Sequence, residues 1–544
     1  MTSRRRGLAT AVVAAAAAAA LVLSGCTSHG SSDGGFSSDH GLADGPNVLR
    51  VLAGSEVKDM VPLLEKAEKA VGVKVELEYI GTIQGTEEVA SGDYDDAYDA
   101  TWFANNRYLS LLPGASSAVK QSVKIMSSPV VLGLKPAVAD SLGWKTQAPT
   151  WSDIANAAGA GKFTYGMTNP AASNSGFSAL VSVATALSGT GAALTSADIA
   201  KVVPALQKFA SAQKLTAGSS GWLADTYAAK PDAVDGIINY ESVLMGLKDQ
   251  GADIDIVAPS DGVVTNDYPL TLLSSAADAK RKLFDKLTTW LTDPAQQKEI
   301  VSQVHRRPGV PGIDTGSTFP SGVLFETPFP NTIEVANGLI STYLDTVRKP
   351  SQEVFALDVS GSMGDDGRID ALRKALKNLA GADTSTIGAF SSFRGGENVT
   401  LIPFSDKPDR AIGISIPADD PDAGRAKVTQ AADDLDLGGG TAIYDTLRKA
   451  YGLAVADKQQ RPDTFVSVVL MTDGENNTGD EYRDFERFYK RLGASATGIP
   501  TFVVLFGDSN TDEMKQIASL TGGQTFDARS GDLAQAFQDI RGYQ

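Results

Sequence analysis

A single cysteine and three histidines stand in 544 residues, and that scarcity closes whole chemistries. A Cys/His zinc site, a disulfide framework, a thiol nucleophile and a Ser-His-Asp triad all need residues this chain lacks, unless His305 alone serves as a base. His29 and His40 lie in a Ser/Gly-rich stretch, and His305, in Val304-His305-Arg306-Arg307-Pro308, reads as a turn residue. Positive charge is scarce too. The formal net charge is −17 and neither half holds a basic surplus, which argues against nucleic acid as a partner, since that binding needs a basic face to displace counterions. After residue 25 no apolar run is long enough to span a bilayer. What remains, at 42% hydrophobic and 21% charged, is globular material whose length predicts two to four domains.

The N-terminus gives the lone cysteine a role. Arg4, Arg5 and Arg6 precede an Ala-rich apolar run from Leu8 to Leu23, the charged and hydrophobic parts of an export signal, too short and Ala-rich for a good membrane span. The run closes on Leu23-Ser24-Gly25-Cys26, which resembles the lipobox of bacterial lipoproteins. The resemblance implies that residues 1–25 are a signal peptide, that Cys26 is acylated, and that the chain sits lipid-anchored on the extracytoplasmic face of the cell membrane. Ser3-Arg4-Arg5-Arg6-Gly7-Leu8 also partly matches a twin-arginine signal, with Gly7 where an aromatic is usual, so both export routes stay open. Residues 26–46, rich in Ser, Gly and Asp, read as a flexible tether with a reach of about 25 Å.

From Asn47 onward, strands alternate with helices. Asn47 to Gly54 reads as a buried strand, Glu56 to Val71 as an amphipathic helix and Val73 to Ile80 as a strand. Further strands follow near 98–103, 129–133 and 163–167, with a helix near 177–187, which predicts a largely parallel, doubly wound α/β sheet. Residues 47–315 resemble the two-lobed extracellular solute-binding proteins. The resemblance rests on Val51-Leu52-Ala53-Gly54-Ser55, Asp99-Ala100-Thr101-Trp102-Phe103-Ala104, Thr168-Asn169-Pro170 with Ser173-Asn174-Ser175-Gly176, and Gly236-Ile237-Ile238-Asn239-Tyr240-Glu241.

Ligands in open α/β sheets bind beyond the carboxyl ends of the strands. Ser55, Thr82, Ser127, Ser128, Ser173, Ser175 and Tyr240 fall at such places and are candidate contacts for a small polar or anionic solute; a Ser or Thr taken singly is more often a helix cap, so their convergence in one cleft is the expectation. All five tryptophans (Trp102, Trp144, Trp151, Trp222, Trp290) lie in this half, so tryptophan fluorescence is expected to report on this domain alone. Residues 316–349, with Pro320, Pro328 and Pro330 and one helix at 332–347, read as a connector.

The strongest signal lies in residues 350–544. An apolar run from Glu353 to Leu357 ends in Asp358-Val359-Ser360-Gly361-Ser362; Gly438-Gly439-Gly440-Thr441 opens a helix; and a second buried run from Phe465 to Met471 ends in Thr472-Asp473-Gly474. In a doubly wound sheet these loops share one edge, so two carboxylates and three hydroxyls converge, a set suited to a hard dication that keeps several waters. No EF-hand runs from Asp473, because Thr478 stands where its glycine belongs. Asp358, Ser360, Ser362, Thr441 and Asp473 match, in identity and order, the metal-ion-dependent adhesion site of von Willebrand factor type A domains. That resemblance implies a Rossmann-like fold, Mg²⁺ (or Mn²⁺ or Ca²⁺) on those five residues, Asp473 acting through water, and a partner carboxylate completing the shell. Asp419, Asp420, Asp422, Asp433, Asp434 and Asp436 read as solvated surface.

These readings predict a membrane-anchored binding protein and not an enzyme, engaging a protein partner through a divalent metal and a small solute through its first domain. The alternative is a solute receptor of an ABC-type transporter with an accessory docking domain.

Overall fold

The computed structural model describes residues 42–92, 97–320, 323–507, 509–529 and 533–544. The export signal, Cys26 and most of the tether lie outside the described residues.

Two sheets build the first half. The first takes the order β2 (Lys74–Tyr79), β1 (Val48–Ala53), β3 (Ala100–Trp102), β11 (Pro269–Leu273), β4 (Val119–Lys124). The second takes β10 (Thr265–Asn266), β5 (Met126–Leu134), β8 (Gly236–Tyr240), β6 (Tyr165–Thr168), β7 (Gln213–Ala217), with β9 (Asp255–Val257) and β12 (Arg307–Pro308) also on β5. Leu49, Val51, Leu132 and Met167 are fully buried, as these apolar runs require.

The expectation of a largely parallel sheet needs correction, because β11 runs against both β3 and β4, and β5 runs against β8, β9, β10 and β12. The cause is the path between lobes. Only Ile125 separates β4 from β5, and only Asp267 and Tyr268 separate β10 from β11, so the chain crosses from one sheet to the other without room for a helical crossover. Tyr268 makes its crossing with a positive φ of 41°, a region that costs a bulky side chain energy. Hydrophobic periodicity registers βαβ units and is silent on such crossings.

The span 316–349 is more than a connector. Its helix Ile333–Thr342 and the wider turn Tyr343–Val347 bury Leu339, Ile340 and Tyr343 in the core of the first domain. Tyr343 donates to Gln213 Oε1 at 2.9 Å, and Tyr108 donates to Asn337 Oδ1 at 2.7 Å.

The second half is one sheet in the order β15 (Ile412–Ser415), β14 (Asn398–Phe404), β13 (Ser351–Asp358), β16 (Phe465–Thr472), β17 (Thr501–Leu505), β18 (Thr525–Asp527), parallel except for β15. Phe355 and Leu357 of β13 face one layer of helices with Leu372 and Phe537, while Val354 and Ala356 face the other with Leu447 and Phe485. Cover on both faces is why β13 and β16 are continuous apolar runs. At the amino end of β13 the fully enclosed Arg541 guanidinium pairs with Glu353 and with Glu397 Oε2, the latter at 2.7 Å. At the carboxyl end, about 17 Å from Glu353 by strand rise, stands Asp358.

Candidate metal centre

Three loops meet at the carboxyl edge of the second sheet. Asp358 ends β13 fully buried, and its Oδ1 accepts the Ser360 backbone N–H at 2.8 Å, which folds the Asp-x-Ser turn back on itself. Its Oδ2 accepts the Thr472 hydroxyl at 2.7 Å, tying β13 to the end of β16. The Ser360 and Ser362 hydroxyls lie 3.1 Å apart, and Ser362 donates to Asp473 Oδ1 at 2.9 Å. A Cβ placed on Gly474 would stand 3.9 Å from Ser362 Oγ and 4.0 Å from Thr441 Oγ1, so both hydroxyls face the same small space beside Asp473.

The glycine loop is held from below. Asp406 Oδ1 accepts Gly440 N–H and Asn477 Oδ1 accepts Thr441 N–H, both at 2.8 Å. A Cβ on Gly440 would press on those same two oxygens at 2.8 Å, so only glycine lets the loop come this close. Gly361 N–H donates to Gly439 O at 2.9 Å, joining the glycine loop to the Asp358 loop.

Burial pushes the Asp358 carboxyl above the usual carboxylate range, against the pull of its bonds to Ser360 and Thr472. Arg368, at the start of the helix Arg368–Lys377, sets Nη1 2.8 Å from Asp473 Oδ2. Two carboxylates and three hydroxyls are hard oxygen donors, few enough to leave positions for water and for a partner oxygen, which suits Mg²⁺ or Mn²⁺ better than a closed carboxylate cage would. Among the described residues no group of three or more His, Cys, Asp or Glu forms such a cage. The residues that sequence reasoning missed are Thr472, Arg368, Asp406 and Asn477. Thr472 and Asn477 flank a singled-out aspartate in Thr472-Asp473-Gly474-Glu475-Asn476-Asn477, but an adjacent hydroxyl or amide has no spacing rule that marks it as a support.

The solute candidates of the first domain are not all brought to one place. Tyr240 is fully buried, donates to Glu56 Oε1 at 3.2 Å and accepts from Asn174 Nδ2 at 3.1 Å. Ser173 and Ser175 form a hydroxyl chain with Thr168, at 3.2 and 2.8 Å, at the start of the helix Asn174–Ser188. Ser128 spends its hydroxyl on the Ser242 backbone N–H at 3.1 Å, a bond within the lobe, and Ser127 is buried on β5 opposite Arg307. Thr82 is buried at the start of the helix Thr82–Ser91, and Ser55 is half-buried after β1. The structure thus gathers Tyr240, Ser173 and Ser175 near the two lobes' meeting line, where a Cβ on Gly81 would stand 2.7 Å from Ala172 O.

Unforeseen partners share that line. Glu56 is packed round by protein, which raises its carboxyl. Asn266 Oδ1 accepts from Asn174 Nδ2 at 2.7 Å and from Asn105, and Arg306, with no exposed side-chain surface, reaches Asp59 at 2.7 Å. Pairing with Asp59 explains why an arginine is tolerated there; His305 beside it takes a left-handed φ of 52° as a helix cap and binds Asp249 at 2.7 Å, the turn role its sequence implied.

Residues 49–303 match the family model of the bacterial extracellular solute-binding proteins, and residues 354–540 match that of the von Willebrand factor type A domain. The chain is an α/β protein that joins a domain of the solute-binding type to a type A domain. A curated relative is the uncharacterized protein YfbK of Escherichia coli (strain K12), 29% identical over 182 residues. The match covers 32% of this chain, which spans 27% of the length of that relative. Among solved structures, the periplasmic binding protein AfuA of Actinobacillus pleuropneumoniae matches at 12% identity and a TM-score of 0.44, over 55% of this chain and 98% of that one. A ferric binding protein of Campylobacter jejuni matches at 14% identity and a TM-score of 0.42, over 54% of this chain and 98% of that one. A von Willebrand factor type A structure from Catenulispora acidiphila matches at 18% identity and a TM-score of 0.29, over 36% of this chain and 43% of that one.

Proposed function

We propose that the chain is an extracytoplasmic binding protein, lipid-anchored through Cys26, whose type A domain holds a divalent cation and captures a carboxylate of a protein partner. The observation that carries this reading is the junction of Ser362 Oγ with Asp473 Oδ1 at 2.9 Å, which brings the Asp358 loop and the end of β16 to one point beside Thr441. Asp358, Ser360, Ser362, Thr441 and Asp473 would hold Mg²⁺, with Mn²⁺ or Ca²⁺ as substitutes. The bound cation supplies an open Lewis-acid position for a partner oxygen on a surface that is otherwise acidic. Thr472, Asp406 and Asn477 keep the donors in place; no residue in the set acts as nucleophile or base, so the reading is capture and not turnover. The test is Mn²⁺ titration of the EDTA-stripped full-length protein followed by electron paramagnetic resonance. Saturable binding by wild type that is lost in Asp473→Ala and weakened in Ser362→Ala supports the reading; equal binding by all three overturns it.

A second reading, a solute receptor of a transporter with an accessory dock, is favoured by one observation. Tyr240, Asn174, Asn105 and Asn266 are buried polar side chains bonded to one another where the lobes meet, and the buried Asn266 Nδ2 among them has no partner, a donor that a polar solute would satisfy. A thermal-shift screen of the full chain against polar cations, anions, sugars and amino acids tests it. A ligand at 100 times its Kd adds about 2.7 kcal/mol, and a flat response to every class removes the reading's premise.

A further inference from the structure

The last helix of the type A domain, Leu533–Arg541, and the residues after it lie across the rim of the two-lobed domain and touch both lobes. On the first lobe, Gln84 Nε2 donates to Gln535 Oε1 at 2.7 Å and Gln535 Nε2 donates back to Gln84 Oε1 at 3.0 Å. A second type A helix, Thr386–Ser391, adds Phe390 to the first domain's core. On the second lobe, Asn169 Nδ2 donates to the Arg541 carbonyl at 3.3 Å, and a Cβ on Gly542 would stand 2.8 Å from Ala172 Cβ. The Tyr543 ring meets Trp222 edge-on at 5.0 Å, and a Cβ on Gly218 would run into its Cδ2 at 2.8 Å and its Cζ at 2.9 Å.

These contacts fall at the strand ends that border the meeting line. Gln84 belongs to the helix that follows β2, Asn169 follows β6 directly, and Gly218 follows β7 directly. The chain crosses between the two lobes three times, at Ile125, at Asp267-Tyr268 and at His305-Arg306 before β12, and all three crossings are short, which leaves a hinge motion as the natural way for the lobes to part. A segment that grips both lobes at the rim opposes that motion.

We propose that residues 533–544 are the resident occupant of this rim, with Tyr543 as anchor, and that they clasp the two lobes so that the lobes part only when the segment lets go. Tyr543 suits the anchor role because its ring also packs on Phe502 and Phe526, at 5.6 and 5.5 Å, so the clasp is rooted in the type A core. Gly218 is then a receptor position, kept without a side chain to admit the ring, since its backbone lies outside the left-handed region and has no conformational need for glycine.

Hydrogen exchange read by mass spectrometry on the full chain in EDTA, with no metal or solute added, tests the clasp apart from the functions proposed above. Gly218→Leu fills the ring's seat from the second lobe, and Tyr543→Ala removes the ring. In Gly218→Leu, exchange should quicken at least about tenfold in residues 533–544 and also in the helix Thr82–Ser91, on the lobe the substitution does not touch, while β1 and β13 keep their protection. Tyr543→Ala should do the same, and because it also removes a core ring from the type A domain, Gly218→Leu is the deciding variant. Faster exchange confined to residues 533–544 in Gly218→Leu, or no change in either segment, overturns the clasp.

Discussion

Arg368 Nη1 stands 2.8 Å from Asp473 Oδ2 while Ser362 Oγ stands 2.9 Å from Asp473 Oδ1, so both oxygens of one site carboxylate are engaged from the segment that follows β13. The guanidinium offsets part of the negative charge that a dication would meet. Arg368→Ala should therefore tighten Mn²⁺ binding by roughly tenfold, and it should lower stability in EDTA by about 1–3 kcal/mol, because the buried Asp473 carboxylate loses a charged donor. Weaker Mn²⁺ binding in the variant would show that Arg368 positions Asp473 and does not shield it.

Thr472 offers a cleaner view of Asp358. Its hydroxyl is the donor to Asp358 Oδ2, at 2.7 Å, in a place without solvent. Thr472→Val keeps the shape and removes the donor, so it should cost about 1–3 kcal/mol in urea unfolding. The loss should shrink when Mn²⁺ is present, if the cation stabilises the carboxylate the hydroxyl used to serve. An unchanged midpoint would mean that Asp358 does not depend on that bond.

The type A half was legible because its signals are local: an Asp-x-Ser-x-Ser run, a glycine triplet before Thr441, and Asp473 after a buried strand each carry their own spacing, and strand order brings them to one edge. Its supports were not, since Asp406 meets Gly440 across 34 residues and no pattern links them. In the first half, the βαβ opening was legible while the reversed β5 and β11 were not, because their direction follows from the lobe crossings. The tryptophans teach the same lesson. All five lie in the first domain, yet Trp222 packs against Tyr543 of the second, so fluorescence reports on both domains, contrary to the expectation from sequence. Burial class is written in composition, whereas contact between distant segments is not.

Asp539, on the last helix, gives the domain contact a pH dependence. Burial lifts its carboxyl to about 7, with Glu88 of the first lobe adding repulsion and the Gln535 amide at 2.8 Å opposing. Between the ordinary aspartate value near 4 and pH 7 the folded chain keeps a proton that the unfolded chain has lost, so stability should fall as pH rises through that window and level off above it. Since Asp539 keeps some solvent access, the fall should be about 2 kcal/mol. Asp539→Asn should be more stable than wild type at pH 8 and equal to it at pH 4. Parallel stability curves for the two proteins across this range would reject the assignment.

The lobe junction makes the sharpest demand on charge pairing. Arg306 has no exposed side-chain surface; Nη1 reaches both Asp59 oxygens at 2.7 Å, Nη2 donates to the Glu56 carbonyl at 2.5 Å, and the guanidinium lies 4.7 Å from the Tyr268 ring centre. Asp59, with 41% of its side chain exposed, is the partner that can be removed without opening the core. Asp59→Ala then strands a buried cation, and unfolding should show a loss of about 3–5 kcal/mol. Arg306→Met in the same chain removes the stranded charge and fills its volume, so the double variant should regain more than half of that loss although it carries two substitutions. If instead the double variant is less stable than Asp59→Ala alone, the arginine is held by the Glu56 carbonyl and the Tyr268 ring, and the ion pair is incidental to the junction.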